Sequence, residues 1–401
     1  MIFMFPHSRK LLFFTVQKAE DSGRIPMSEE TIDIYSKVLF GERMIDMAIK
    51  TVIYDVIIVG AGPGGSTAAR ELGSKGFNVL IIDKKKFPRD KTCGGFIPAK
   101  VLNELGFHLP REFIRNEIRS ISLYGKSLEK STYHSSVPLG VTIPRIDLDH
   151  FLINKAIGQG VRFMDETRFY HMEQQKSILK IYTSSGEYYC RILLGGDGMF
   201  SKVRKYVEDD AVMNPYKTGF TVSTRLMKKT FDEDVDFKLF SIPVAFSMGW
   251  AIPMGEKEMN VGIGGPMFKK QELLKEFQNY IKKLNQVYQL EDGKVKVKGA
   301  FLPAGGFKRR IMKDHILLIG DAAGFADPLT GEGVYYAVRS GKIAAEAIQK
   351  GSLKSYETQC VKEFNAKFKM SLLETGLTLK KEYMDIKILR EKKCQSFARL
   401  M

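Results

Sequence analysis

Cysteine is scarce in this 401-residue chain, and the four present (Cys93, Cys190, Cys360 and Cys394) stand far apart. They form neither a metal-ligand spacing nor a disulfide framework, so no metal site is expected and a reducing, cytoplasmic setting fits. Long apolar runs are missing as well. None approaches the ~18 residues that a membrane span requires. The longest apolar stretch near the N-terminus, residues 11–16, is too short for the core of a secretory signal. Acidic residues are the third shortage: 46 Asp and Glu face 62 Lys and Arg, a net charge of +16. Such an excess suits nucleic acid, an anionic membrane surface or an acidic ligand. No nucleic-acid motif accompanies it, so nucleic acid is not expected as a partner. Residues 1–50 have no clear pattern and read as an N-terminal extension. Glu20, Asp21, Glu29 and Glu30 there argue against an organellar presequence, which is normally acid-poor.

What is present is organised around residues 55–83, DVIIVGAGPGGSTAARELGSKGFNVLIID. Residues 56–59 are a short apolar run of the kind buried in a parallel sheet. Gly60, Gly62 and Gly65 then spell G-x-G-x-x-G. The first glycine permits a tight turn, the second lets a pyrophosphate approach the backbone, and the third lets helix and strand pack closely. The next segment is helical, and its N-terminus offers free N–H groups to phosphate. Residues 79–82 form a second strand that ends at Asp83, eighteen residues past Gly65. An acid there can accept hydrogen bonds from an adenosine ribose. Strand, glycine turn, helix, strand and acid in this order predict dinucleotide binding.

Three later stretches add to this. Residues 84–98, KKKFPRDKTCGGFIP, begin at Lys84 and make a loop at the end of the second strand, where open α/β sheets place ligands. In it Cys93 is followed by Gly94 and Gly95, which leave room for a flat ring. Lys91 stands two residues before Cys93, and a cation beside a thiol favours its thiolate. Residues 193–204, LLGGDGMFSKVR, are a second glycine turn, with Asp197 in it. Residues 316–348 give a strand ending at Asp321, a turn with Pro328, Gly331 and Gly333, and a small-residue helix. Between them, residues 217–264 alternate as in a sheet with one covered face. Met248, Trp250, Ile252 and Met254 share one side of a strand by the period of two, as core or as the wall of an apolar pocket. Arg145 sits at a helix start, either solvated or contacting phosphate or ribose. Residues 351–401 read as helix. From residue 361 on, ten Lys and Arg stand against five Asp and Glu, which suits either an anionic membrane surface or a helix capping the body.

The first unit, GGDGMFSKVR and IGDAAGFADPLTGEG together resemble the FAD-binding signature of flavoproteins with the aromatic-hydroxylase fold. PRDKTCGG and GWAIP within that frame resemble the geranylgeranyl reductase family. The resemblance spans residues 54–350. It implies an α/β protein: a discontinuous Rossmann-like FAD-binding domain (51–125, 145–215 and 295–350), an antiparallel substrate-binding sheet domain (126–144 and 216–294) and C-terminal helices (351–401). It implies FAD contacts from Gly60, Gly62, Gly65, Asp83, Lys84, Cys93, Gly94, Arg145, Asp197, Asp321, Pro328, Gly331 and Gly333. Met248, Trp250, Ile252 and Pro253 take the place of the family's aromatic-rich Tyr-x-Trp-x-Phe-Pro as substrate contacts. Two of its aromatics are aliphatic here.

The activity so implied is reduction of isoprenoid C=C bonds in a prenyl diphosphate or prenyl lipid. Hydride comes from N5 of reduced FAD, and a proton comes from a group such as Cys93. A single nucleotide fingerprint leaves no separate NADPH domain, so the expected donor is a transiently docked NADPH or reduced ferredoxin. Peripheral contact with the inner membrane surface is expected from the charge. Two alternatives stand beside this reading: an FAD-dependent monooxygenase or halogenase of the same fold, and a lipid-binding flavoprotein without catalysis.

Overall fold

The computed structural model describes residues 52–401 except 126, 209–213, 231–234, 292–295, 306–309, 379–394, 396–397 and 399–401. The expected N-terminal extension and most of the basic stretch after residue 378 therefore lie outside the described residues.

The described residues begin with strand β1 (Ile53–Val59), helix α1 (Pro63–Gly73) and strand β2 (Val79–Ile82). Next come β3 (Phe96–Pro98), α2 (Ala99–Leu105), β4 (Asn116–Ile118), β5 (Ser120–Tyr124), β6 (Lys130–His134) and β7 (Gly140–Thr142). Helix α3 (Arg145–Ile157) leads to β8 (Arg162–Met164) and to β9 (Phe169–Gln175), β10 (Ile178–Thr183) and β11 (Gly186–Gly195). The sheet strands β12 (Thr218–Met227), β13 (Phe237–Ser241), β14 (Met248–Pro253) and β15 (Glu258–Pro266) precede α4 (Lys270–Tyr288) and β16 (Lys298–Pro303). The chain returns through β17 (Met312–Lys313), β18 (Ile316–Leu318), α5 (Val334–Gln349) and α6 (Lys354–Thr378).

An eight-stranded sheet forms the nucleotide-binding half. Its path runs β17-β18-β11-β1-β2-β8, with β10 on β11 and β9 on β10. β18, β11, β1, β2 and β8 are parallel to one another. Their shared ends bring three turns together: the one after β1, the one after β11 and the one after β18. Strand β1 is apolar without alternation because both its faces are covered, and Val56, Ile57 and Ile58 have no exposed surface. Helices α1 and α5 pack backbone to backbone across one face. A Cβ at Gly64 would lie 2.8 Å from the Ala337 carbonyl oxygen.

The second sheet has seven strands in the order β16-β12-β15-β14-β13-β5-β6, antiparallel except for β13 with β5. Helix α4 covers one face with Leu273, Phe277, Tyr280 and Leu284, spaced as one helical stripe. Burying each such side chain contributes about 1.5–3 kcal/mol. The other face is left to the cavity. A three-stranded sheet, β3-β7-β4, has its strands interleaved in the sequence with β5 and β6. The sheet domain takes more chain than expected. β5 belongs to it although it precedes residue 126, and β16 belongs to it although it follows 294. Alternation announces a strand locally, but the choice of sheet is made by a distant partner.

Candidate active site

The turn after β1 carries the first glycines. Gly60 has φ +106°, and a Cβ there would strike the backbone of Gly196, so the turns after β1 and β11 touch. A Cβ at Gly65 would overlap the Gly60 carbonyl oxygen, which is the close helix–strand approach expected of a third glycine. Gly62 differs. Only the Arg89 guanidinium comes near its Cβ position, at 3.7 Å. The space at Gly62 is thus open to a ligand, and helix α1 begins there with no side-chain cap. Asp83 accepts the Ala61 N–H at 2.9 Å and the Lys85 N–H at 2.9 Å, so it fixes the glycine turn from the end of β2. Lys84 is exposed and takes no part in the cavity wall described next.

A cavity of about 580 Å³ runs between the two sheets. On the nucleotide side its wall is mostly backbone: Gly62, Gly65, Gly196, Gly198, Asp321 and the turn at 328–333. Pro328, Gly331 and Gly333 all line it. Asp197 does not. Its carboxylate turns away to accept Ser201 Oγ–H at 2.6 Å and the Lys202 N–H at 2.7 Å. Burial raises its pKa, against the pull of those donors. Asp197 thereby fixes the single turn of 3₁₀ helix at Val203–Tyr206. From that turn Arg204 donates to the carbonyls of Ala322 and Asp321, both at 2.9 Å. The acid therefore acts on the third glycine turn through Arg204.

The loop at 84–98 crosses the cavity. Cys93 is half-buried and lines it, together with Lys91, Gly94 and Arg145. Lys91 Nζ lies 3.5 Å from Asp321 Oδ2. The cation that shares this part of the cavity wall and lies near Cys93 is Arg145. Arg145 in turn makes a two-pronged bond to Asp149, Nε to Oδ1 at 2.7 Å and Nη2 to Oδ2 at 2.8 Å. Burial alone would lower the Arg145 pKa, but Asp149 and Cys93 more than reverse this and raise it. Asp149 is fully buried and also holds Arg89 at 3.0 Å, and Arg89 reaches to 3.8 Å from Asp83. One chain of ion pairs thus runs Asp83–Arg89–Asp149–Arg145, from the ribose end of the expected cofactor site to the cavity wall that Cys93 shares.

The opposite wall is built by side chains. Met248, Trp250 and Ile252 line it from β14, and Phe246 and Phe268 lie further along. Pro253 ends the strand outside the wall. Trp250 is fixed at its edge, Nε1–H to Asn260 Oδ1 at 2.9 Å. Asn260 also donates to the Cys93 carbonyl at 3.1 Å, which ties the cysteine loop to the sheet. Gly94 and Gly95 answer to this contact. A Cβ at Gly94 would lie 2.9 Å from Ile252 Cδ1, and one at Gly95 2.8 Å from Met254 Sδ. The room expected for a flat ring at these glycines is therefore taken at least partly by protein side chains.

Other residues escaped the sequence reading. Asp327 is buried and holds the 328–333 turn, accepting the N–H groups of Leu329 and Thr330 at 3.0 and 2.9 Å. Ser371 of α6 donates to the same acid at 2.6 Å. Helix α6 also packs on the body through Tyr356, Cys360, Phe364 and Phe368, all buried. Glu332 lines the cavity, and its Oε2 is buried without a hydrogen bond; Lys100 lies 3.6 Å away. Cys190 and Cys360 sit in the core, and burial pushes the Cys190 thiol up to about 12. Among the described residues no cluster has the makings of a metal site.

The open Gly62, the uncapped start of α1, Asp83 and the glycine-lined wall fit a dinucleotide that enters by its backbone-facing side. A family model described as FAD binding domain matches residues 53–350. The chain belongs to this family. It is an FAD-dependent oxidoreductase. An uncharacterised protein of Methanosarcina barkeri is 35% identical over 305 residues, 75% of this chain and 76% of that one. A menaquinone reductase of Mycobacterium tuberculosis is 29% identical over 315 residues, 75% and 77% of the two chains. A digeranylgeranylglycerophospholipid reductase of Methanocaldococcus jannaschii is 28% identical over 328 residues, 79% and 82%. Among solved structures, a geranylgeranyl bacteriochlorophyll reductase-like protein of Thermoplasma acidophilum has the same fold. It superposes with a TM-score of 0.77 at 23% identity, over 87% of this chain and 96% of that one. The flavoprotein fold expected from the sequence is thus the one observed.

Proposed function

We propose that this flavoprotein reduces isolated C=C bonds of an isoprenoid chain carried by a prenyl diphosphate or prenyl lipid. The observation that carries the reading is the two-sided cavity, with a backbone wall suited to FAD facing an apolar wall of Met248, Trp250 and Ile252. Two relatives are named as reductases of menaquinone and of a digeranylgeranylglycerophospholipid, which supports an isoprenoid-type substrate here. When bound, reduced FAD supplies the hydride. The chain's own residues do the rest: the apolar wall excludes water and aligns the alkene, and Cys93 delivers the proton to the second carbon. Arg145, held by Asp149, orients the Cys93 side chain toward the cavity. Reducing equivalents come from a transiently docked NADPH or from reduced ferredoxin.

The test is anaerobic single turnover. Protein loaded with FAD and reduced with dithionite is mixed with geranylgeranyl diphosphate or a geranylgeranyl diether lipid. Flavin reoxidation is followed optically, and the gain of two hydrogens per bond is followed by mass spectrometry. The expected result is reoxidation without oxygen, slowed about 10²-fold or more in Cys93→Ala, the size of a lost acid–base contribution. Reoxidation only on admission of oxygen would assign the chain to oxygenase chemistry. A Cys93→Ala rate within a few-fold of the parent would make Cys93 a packing residue.

A further inference from the structure

The cavity opens past a set of apolar side chains that the core does not use. Tyr216 is 78% exposed and Phe268 47%, and their rings lie 5.2 Å apart. Phe246, also exposed, has its backbone against Gly265, three residues before Phe268. All three line the cavity, so this patch continues into the apolar wall. Leu372 of α6 lines the same cavity and is 41% exposed. On the same helix Met370 and Leu373 are 57% and 62% exposed and do not touch the cavity. Exposed aromatics and aliphatics next to the opening of an apolar cavity mark an interaction surface.

Charge identifies the partner. Lys217 follows Tyr216 and is exposed, and Lys269 and Lys270 follow Phe268. Lys270 lies over the rings of Phe220 and Phe301, at 5.2 and 5.4 Å. On α6 the exposed Lys362, Lys369 and Leu373 fall on one stripe by the helical period. Among the described residues Glu272, bonded to Lys269, offsets part of this charge near the sheet. Apolar rings and aliphatics flanked by lysines match the boundary of a bilayer with anionic headgroups. There rings enter the acyl margin and ammonium groups stay at the phosphates.

We infer that the cavity mouth docks on an anionic lipid bilayer, through Tyr216, Phe246 and Phe268 on the sheet side and Met370, Leu372 and Leu373 on α6. This deepens the proposed function, because a prenyl chain then passes from bilayer to cavity without crossing water.

The experiment is flotation of the full, FAD-loaded chain with vesicles of phosphatidylglycerol and phosphatidylcholine in equal parts, and with phosphatidylcholine alone. Binding is expected to the first at low salt and to fall at about 1 M salt, where the screening length is about 3 Å. Met370→Ser with Leu373→Ser is expected to weaken binding about tenfold for each apolar side chain withdrawn. Lys217→Glu is expected to weaken it by roughly fivefold or more. Both variants lie outside the cavity wall, so single turnover with prenyl diphosphate in detergent is expected to be unchanged. Failure of that turnover in the parent overturns the proposed reaction and leaves the flotation result standing. The docking proposal falls if the parent ignores anionic vesicles at low salt, or if Met370→Ser/Leu373→Ser binds as the parent does. It also falls if sedimentation shows a dimer that the same double variant dissolves, since a second copy would then cover this face.

Discussion

The two walls of the cavity are made of different material. The nucleotide wall is mostly backbone, shaped by glycines, some of them packed on backbone, as Gly64 and Gly65, and some open, as Gly62 and Gly198. The sheet wall is side chain, with Met248, Trp250 and Ile252 facing inward and Trp250 pinned by Asn260. At Gly64 and Gly65 the backbone wall tolerates almost no change, because an added Cβ meets another backbone. A side-chain wall can be re-cut residue by residue while the strand beneath stays in register. The difference separates what the fold holds constant, the cofactor, from what it can adapt, the substrate.

Two glycine substitutions break the comparison from the rigid side and give the largest effects. Gly65→Ala drives a Cβ into the Gly60 carbonyl oxygen, so α1 must leave β1. The expected outcome is protein without FAD and with a lowered melting temperature, at or beyond the ~1–3 kcal/mol usual for overpacking. Gly62→Ala meets only Arg89, at 3.7 Å. It should melt like the parent when free of FAD yet bind FAD at least about tenfold more weakly, as the methyl group stands where the ligand must approach. Calorimetry of the FAD-free proteins and flavin fluorescence titration check both. Unchanged FAD affinity in Gly62→Ala would remove Gly62 from the cofactor site.

Asp149→Asn tests the joint between the walls. The acid is fully buried and holds Arg89 at 3.0 Å and Arg145 at 2.7 Å. Losing its charge leaves two guanidinium groups without their shared partner. A cost of about 3–5 kcal/mol is expected, as for breaking other buried pairs. Urea denaturation measures it. A cost below about 1 kcal/mol would mean that water or Asp83 already satisfies the arginines.

The same contrast explains what could be read in advance. The glycine turns, their strands and Asp83 were legible because turn chemistry is local: the residues that make the shape are the residues that show it. Met248, Trp250 and Ile252 were legible as one face for the same reason, by the period of two. The charge network was not. Lys91 pairs with Asp321, 230 residues further along the chain, and Arg89 with Asp149 on another element. Asn260 and Cys93, and Arg204 and Asp321, are joined only when the sheets are assembled. A pattern within α3 did exist: Arg145 and Asp149 are one helical turn apart, the spacing of an i,i+4 ion pair. Asp197 misled because a glycine turn and a helix start look alike in sequence. The acid served the second.

The smallest expected effect concerns Glu332, on the backbone wall but facing the cavity with a charged side chain. Burial raises its carboxyl pKa above the ordinary 4.5, against the opposing pull of Lys100. A raised acid favours the protonated form in the fold more than in the unfolded chain. Its contribution to stability is therefore full below about pH 4.5 and is lost as pH rises through the folded value. Glu332→Gln keeps an oxygen for the Tyr335 N–H, which Oε1 now accepts at 2.6 Å, and cannot ionise. Lys100 keeps its ring contacts with Tyr335 and Tyr336. Melting of the FAD-free proteins from about pH 4 to about pH 8 should then show parent and variant close at the acid end. The variant should gain on the parent as pH rises, by a few degrees at most. A constant difference across the range would mean that Glu332 carries the same charge folded and unfolded, and that Lys100 balances its burial.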